Sequence, residues 1–273
     1  MPSPSEITVS QLSRLIGTPA CPVIVDVRID EDVAADPTLL PGAIRFPFKE
    51  VATLAPRLQG RTAAVYCQKG KKISQGAAAI LRDAGVQAEV LMGGHVAWRE
   101  AGEIEIPMDK IPPRDADGRT LWVTRQRPKI DRLACPWLIR RFIDPQARFL
   151  FVAPAEVPAV ADRFDATPFD IEGVFWSHRG EACTFDTMVE EFRLHGDAMD
   201  RLATIVRGAD TNRHELAPES AGLLAASLGL SRMFRDDLEQ LHAAMTLYDA
   251  FYRWSRDAVG ESHDWPSRGA VAK

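Results

Sequence analysis

The chain has 273 residues, with 33 lysines and arginines against 38 aspartates and glutamates for a formal charge of −5, a length that suggests two domains of about 150 residues each. Its make-up, 46% hydrophobic and 26% charged, is that of an ordinary soluble protein, and the acidic balance argues against binding nucleic acid through bulk charge. No stretch approaches the ~20 apolar residues of a membrane span, and the opening MPSPSEITVSQL lacks the basic and apolar segments of an export signal.

Ser5 or Thr8 caps a short first helix through Leu12 and Ile16. Val23–Val27 is a β-branched apolar run that suits a strand buried on both faces. Residues 30–41 are polar and proline-marked and read as loop. A short strand over Ala43–Phe46 and a helix over Phe48–Leu58 follow. The next strand, Ala63–Tyr66, delivers Cys67 into the loop Gln68-Lys69-Gly70-Lys71-Lys72, and a helical pattern over Ser74–Ala84 ends at Gly85. Glu89–Met92 reads as strand, Gly93-Gly94 as turn and His95–Ala101 as a short helix. Strands alternating with helices imply a parallel sheet flanked by helices, with sites at the carboxyl ends of the strands. Cys67 lies at such an end. Loop amides and the following helix dipole favour negative charge there, which lowers a thiol's pKa toward the reactive thiolate.

The strand VIVDVR with Asp26 and Arg28, the Leu40-Pro41-Gly42-Ala43 turn, the YCQKGKK loop and MGGHVAWREAG with Gly93, Gly94, Trp98 and Gly102 together resemble a rhodanese-type sulfurtransferase domain. The resemblance implies that Cys67 takes up a sulfane sulfur as a persulfide. It also implies that Gln68, Lys69, Gly70, Lys71 and Lys72 form the loop holding an anionic donor, and that no cofactor is required. The histidine often found before the family's Pro-Gly-Ala is absent, with Leu40 near its place. The nearest rival chemistry, a cysteine phosphatase, uses a loop one residue longer with an arginine six positions after the cysteine. Ile73 stands there, and an isoleucine supplies no fork for phosphate. Asp26 and Arg28 are expected to be a structural pair, and His95 a helix-start residue.

Residues 1–104 are thus assigned to the first domain, and 105–119, rich in proline and alternating charge, to a linker. A second domain spans 120–257, and the tail, 258–273, is expected to be disordered. Thr120–Val123 is strand-like. The most basic stretch of the chain follows, holding Arg125, Arg127, Lys129, Arg132, Arg140 and Arg141. A helix opening at Pro136 places Cys135 at its cap, and Arg125, Lys129, Arg132, Cys135 and Arg140 form a candidate oxyanion site. Arg148–Val152 reads as strand and Pro154–Phe164 as helix. His178 and Cys183, in a segment also carrying Asp170, Glu172, Glu181 and Asp186, are candidate ligands for a transition metal, although their spacing matches no closed zinc pattern. Helices follow over 184–193, 197–208, from Pro218 to Gly229, and over 231–256. On the last of these, Leu238, Leu241, Met245, Tyr248 and Tyr252 make an apolar stripe, and Glu239 and His242 are a lone Glu-x-x-His pair.

RPKIDRLACPWLIRRFIDP, PFDIEGVFWSHRGEACTFD, RGADT, LAPESAGLLAASLGLS and YDAFYRW resemble the C-terminal domain of the chromate-resistance protein ChrB. The expected architecture is an α/β rhodanese-like domain followed by a mainly helical α+β domain in a cytoplasmic protein. The expected function is a sulfurtransferase acting on a small anionic sulfur donor and a thiol acceptor, linked to chromate resistance or oxidative stress. The alternative is a sensor that binds chromate, another oxyanion or a metal through its second domain.

Overall fold

A computed structural model describes residues 5–261. The chain opens with β1 (Glu6–Ile7), α1 (Val9–Leu15), β2 (Val23–Asp26), α2 (Asp30–Ala35), β3 (Thr38–Leu39) and β4 (Ile44–Arg45). After 3-10 turns over Phe48–Leu58 come β5 (Thr62–Tyr66), α3 (Lys72–Asp83), β6 (Gln87–Leu91) and α4 (Gly94–Glu100). Strands pair in the order β1-β6-β5-β2-β4, every contact parallel.

The apolar strands are buried on both faces, as expected of a parallel sheet. Successive residues point opposite ways. Val23 and Val25 of β2 and Ala63 and Val65 of β5 therefore enter one core, with Leu81 of α3 and Leu54 of the 3-10 segment. Ile24, Ala64 and Tyr66 face a second core. Thr8 caps α1 reciprocally with Gln11. Residues 30–41, expected as loop, hold α2 and β3, and three acidic residues in the first turn of α2 favour it through the helix dipole.

Asp26 and Arg28 are a wholly buried ion pair at 2.7 Å. The same guanidinium donates to the Thr38 and Asp36 carbonyls, tying β2 to the α2–β3 segment. Arg28→Ala leaves a buried carboxylate without its cation and should cost about 3–5 kcal/mol, measurable by urea unfolding.

Residues 105–119 include β7 (Ile106–Pro107), which pairs antiparallel with β3. The second half contains β8 (Leu121–Arg125), α5 (Asp131–Leu138), β9 (Arg148–Val152), α6 (Val157–Phe164) and β10 (Thr167–Pro168). It continues with α7 (Thr184–Glu191), α8 (Asp197–Asp210), α9 (Glu219–Met233) and α10 (Asp237–Asp257). Its small sheet, ordered β10-β8-β9, is parallel, and α5, α7, α8 and α10 pack around one another. The second core runs without a break into this half. Leu12, Trp98 and Ile106 join Trp137, Phe142 and Tyr252 in one cluster.

Several helix boundaries differ from the sequence expectation, most of all those of α5, α9 and α10. α5 starts at Asp131, five residues before Pro136, and passes into a π-turn over Ile139–Ile143. A proline inside a helix removes one hydrogen bond, but Leu133, Ala134, Trp137 and Leu138 are all fully buried and their packing prevails. α9 runs through Gly229 to Met233, and α10 begins at Asp237 with Asp236 as its cap. Of the α10 stripe, Leu241, Met245, Tyr248 and Tyr252 are buried, whereas Leu238 is exposed. Glu239 and His242 are both exposed. No helix among the described residues is long and apolar enough to cross a membrane. Most of the tail expected to be disordered lies outside the described residues.

Candidate active site

Cys67 follows β5 at its carboxyl end, and four residues, Gln68 to Lys71, separate it from the first turn of α3. The loop is folded against the N-terminus of α4. The His95 and Val96 amides donate to the Cys67 and Gln68 carbonyls, each at 3.0 Å, so these carbonyls turn away from the sulfur. That approach demands glycine. A Cβ on Gly94 would lie 2.1 Å from the Cys67 carbonyl oxygen, and one on Gly70 would lie 2.8 Å from the Gly93 and Gly94 nitrogens; both glycines have positive φ.

Cys67 is only 5% exposed, and its Sγ lies 3.2 Å from Ser74 Oγ on α3. Burial alone would raise its pKa. The Ser74 hydroxyl and the backbone amides of Ser74, Lys69 and Lys71 outweigh burial and hold the thiol below its ordinary value. Lys69, Lys71 and Lys72 are exposed. The sequence marks Ser74 only as the opening of the helix. Its signal was its place one turn into α3, whose N-terminus points at the sulfur. Ser74→Ala removes the largest of the lowering contacts, so the thiolate fraction at a given pH should fall. The pH profile of iodoacetamide alkylation of Cys67 should move to higher pH.

His95 is fully buried and stacks on Tyr66, with ring centroids 6.1 Å apart. Its Nε2 lies 2.8 Å from Glu105, which also accepts from Thr38 at 3.0 Å. Burial pushes Glu105 up, but the His95 and Thr38 hydrogen bonds prevail and keep it below the usual carboxylate range. The group positions the start of α4, and through it the Cys67 loop.

The second half gives a different picture from the expected oxyanion site. Cys135 lies inside α5 rather than at its cap. It is fully buried, and burial first, then the Asp131, Asp170 and Asp210 carboxylates, push its thiol well above the ordinary range. Arg125 and Arg132 both reach Asp170 Oδ2, at 3.0 and 3.2 Å, so a carboxylate already occupies the place between them. Arg140 is directed elsewhere, over the Phe149 ring at 5.1 Å, and Lys129 is exposed. The five residues share no common centre.

The expected His178–Cys183 pair is not formed either. Cys183 is buried as the cap residue of α7, in a reciprocal box with Asp186, and burial raises its thiol well above the ordinary value. His178 instead points Nε2 at three carboxylates. It lies 3.4 Å from Asp131, 3.4 Å from Asp170 and 3.3 Å from Asp210. These contacts push the imidazole up to about 12, while burial raises Asp131 to about 7. Nothing in the sequence marks Asp131 or Asp210 for this site, because they lie far from His178 in the chain and meet it only when α5 and α8 pack.

Residues 8–101 match the family model described as a rhodanese-like domain, and residues 122–255 match that described as the C-terminal domain of ChrB. Over 146 residues the chain is 35% identical to Protein ChrB of Cupriavidus metallidurans, a match covering 52% of this chain and 43% of that protein. The chain thus spans less than half the length of that relative. Among solved structures, it is 22% identical to a rhodanese-related protein from Thermoplasma volcanium. That match covers 37% of this chain and 96% of the other, with a TM-score of 0.33. It is 27% identical to a rhodanese-like domain protein from Staphylococcus aureus, over 34% of this chain and 90% of the other, with a TM-score of 0.30. The chain is a rhodanese-like domain, residues 8–101, joined to a ChrB C-terminal domain, residues 122–255.

Proposed function

We propose that the protein is a sulfurtransferase whose sulfur carrier is Cys67, acting in a chromate-resistance setting. The observation that carries this reading is the polarised environment of a single thiol. Of the four cysteines, Cys67 alone has its thiol held below the ordinary value, whereas burial raises Cys21, Cys135 and Cys183. The Cys67 thiolate attacks the outer sulfur of a small anionic donor such as thiosulfate. The donor's S–S bond breaks, its electron pair leaves with sulfite, and Cys67 carries a persulfide. Loop amides and the α3 N-terminus accommodate the negative charge of donor and persulfide. An acceptor thiolate then attacks the terminal sulfur, taking it as its own persulfide and returning Cys67 as thiolate.

The chromate setting rests on the ChrB C-terminal domain. Chromate is a sulfate-like dianion that thiols reduce, so a sulfur-handling domain beside it is chemically coherent. The test is steady-state release of sulfite from thiosulfate with dithiothreitol as acceptor. Turnover by the purified chain supports the reading, and no turnover by folded protein with glutathione persulfide or thiosulfate as donor contradicts it.

A further inference from the structure

The cluster around His178 has no part in sulfur transfer, yet its geometry is specific. Asp131 stands in the first turn of α5, Asp170 just after β10, His178 in the loop before α7, and Asp210 at the end of α8. Asp131, Asp170 and His178 each offer a ligand atom within 4.8 Å of the other two. One imidazole nitrogen is nearly equidistant from three carboxylate oxygens, at 3.3–3.4 Å.

A single N–H can satisfy only one of these three carboxylates at a time. An N–H donates along one direction, and N–H···O contacts cluster at about 2.7–3.2 Å. The separations of His178 Nε2 from Asp131 and Asp170 match the spacing between neighbouring ligands around one ion: bonds of about 2.0–2.1 Å place such atoms about 3.4 Å apart.

The surroundings point the same way. Asp131 is fully buried, and no lysine or arginine pairs with it among the described residues; His178 is its one ion-pair partner. Buried carboxylates are normally paired with a cation or a metal. Asp210 ends α8, where the helix dipole disfavours a negative charge, and it too has His178 as its one ion-pair partner among the described residues. Asp170 and Asp131 are held as outer-shell groups hold metal ligands. Arg125 and Arg132 take Asp170 Oδ2, leaving Oδ1 toward His178 with the Thr184 hydroxyl at 3.0 Å. The Thr184 amide donates to Asp131 Oδ2 at 2.6 Å. His178 is 41% exposed at its side chain, which gives an ion a path from solvent.

We propose that Asp131, Asp170 and His178 bind one divalent first-row transition ion in the ChrB C-terminal domain, with Asp210, 3.3 Å from His178, closing in as an outer carboxylate. Three carboxylates and one imidazole suit manganese, iron(II) or zinc better than a thiophilic ion. The ion ties α5, α8 and the loop before α7 together at the point where Arg125 and Arg132 converge.

The test uses manganese(II), a hard ion that avoids the Cys67 thiolate, with the full chain first stripped by a chelator. Loss of the free-ion electron paramagnetic resonance signal should show about one equivalent bound, and elemental analysis should find it retained after desalting. His178→Ala and Asp210→Asn alter the more exposed arms of the site and should each weaken binding at least about 10-fold, with unchanged circular dichroism. His195→Ala, at the exposed Glu190–Asp200 contact, should bind as the parent does. Zinc titrated in parallel should raise the melting temperature of the parent and not of His178→Ala. Absence of stoichiometric uptake of both ions, or equal uptake by parent, His178→Ala and Asp210→Asn, overturns the proposal.

Discussion

Cys67→Ser is expected to abolish sulfite release from thiosulfate, a loss of at least about 10³-fold, because it removes the nucleophile itself. A serine hydroxyl in the same loop stays protonated at neutral pH and forms no persulfide. Cys135→Ala and Cys183→Ala provide the contrast. Both thiols are fully buried and raised well above the ordinary range, so neither change touches the reacting atoms and turnover per folded chain should persist. Equal losses in all three variants would show that folding, not a single thiol, is being measured. Gly94→Ala should behave like Cys67→Ser while leaving the thiol in place, since its methyl group would collide with the Cys67 carbonyl.

A loss of stability as large as that of Arg28→Ala is expected at Trp137. This side chain is fully buried on α5, with ring centroids 5.8 Å from Phe142, 6.2 Å from Tyr248 and 5.5 Å from Tyr252. Its Nε1 donates to Asp249 at 2.8 Å, and Arg141 grips the same carboxylate through Nε and an outer nitrogen. Trp137→Ala should cost about 3–5 kcal/mol from lost burial and the cavity left behind. Because Phe142 and Tyr252 belong to the core that also contains Leu12 and Trp98, the loss should lower the unfolding midpoint of both halves together. Urea unfolding followed by fluorescence and by Cys67 alkylation would check this: the two probes should shift in step.

The first half was readable in the sequence because its signals are local. β2 and β5 are short apolar runs, the Cys67 loop joins a strand to a helix, and Gly93-Gly94 marks the turn that the loop rests on. The missing piece, Ser74, was hidden because a serine near a helix start has an ordinary explanation as a terminal residue. In the second half the pattern rules gave way to tertiary packing. Pro136 suggested a helix start, and the burial of its neighbours overrode it. Gly229 suggested a stop, but α9 turns Ser220, Leu223, Ser227 and Ser231 inward. Three of these four buried residues are serines. They bond to buried partners such as the Ile205 carbonyl and the Ile130 amide, so hydrophobic periodicity could not reveal the face. The arginine run suggested an anion site, yet Asp170, distant in sequence, pairs with two of its members.

The central claim is tested most directly by mass spectrometry of the intact chain and its Cys67 peptide after brief exposure to thiosulfate and removal of the donor. The account predicts one added sulfur, about 32 Da, located on Cys67 and removed by a thiol. An unmodified Cys67 in folded protein, or a sulfur carried by Cys21, Cys135 or Cys183 instead, would contradict it.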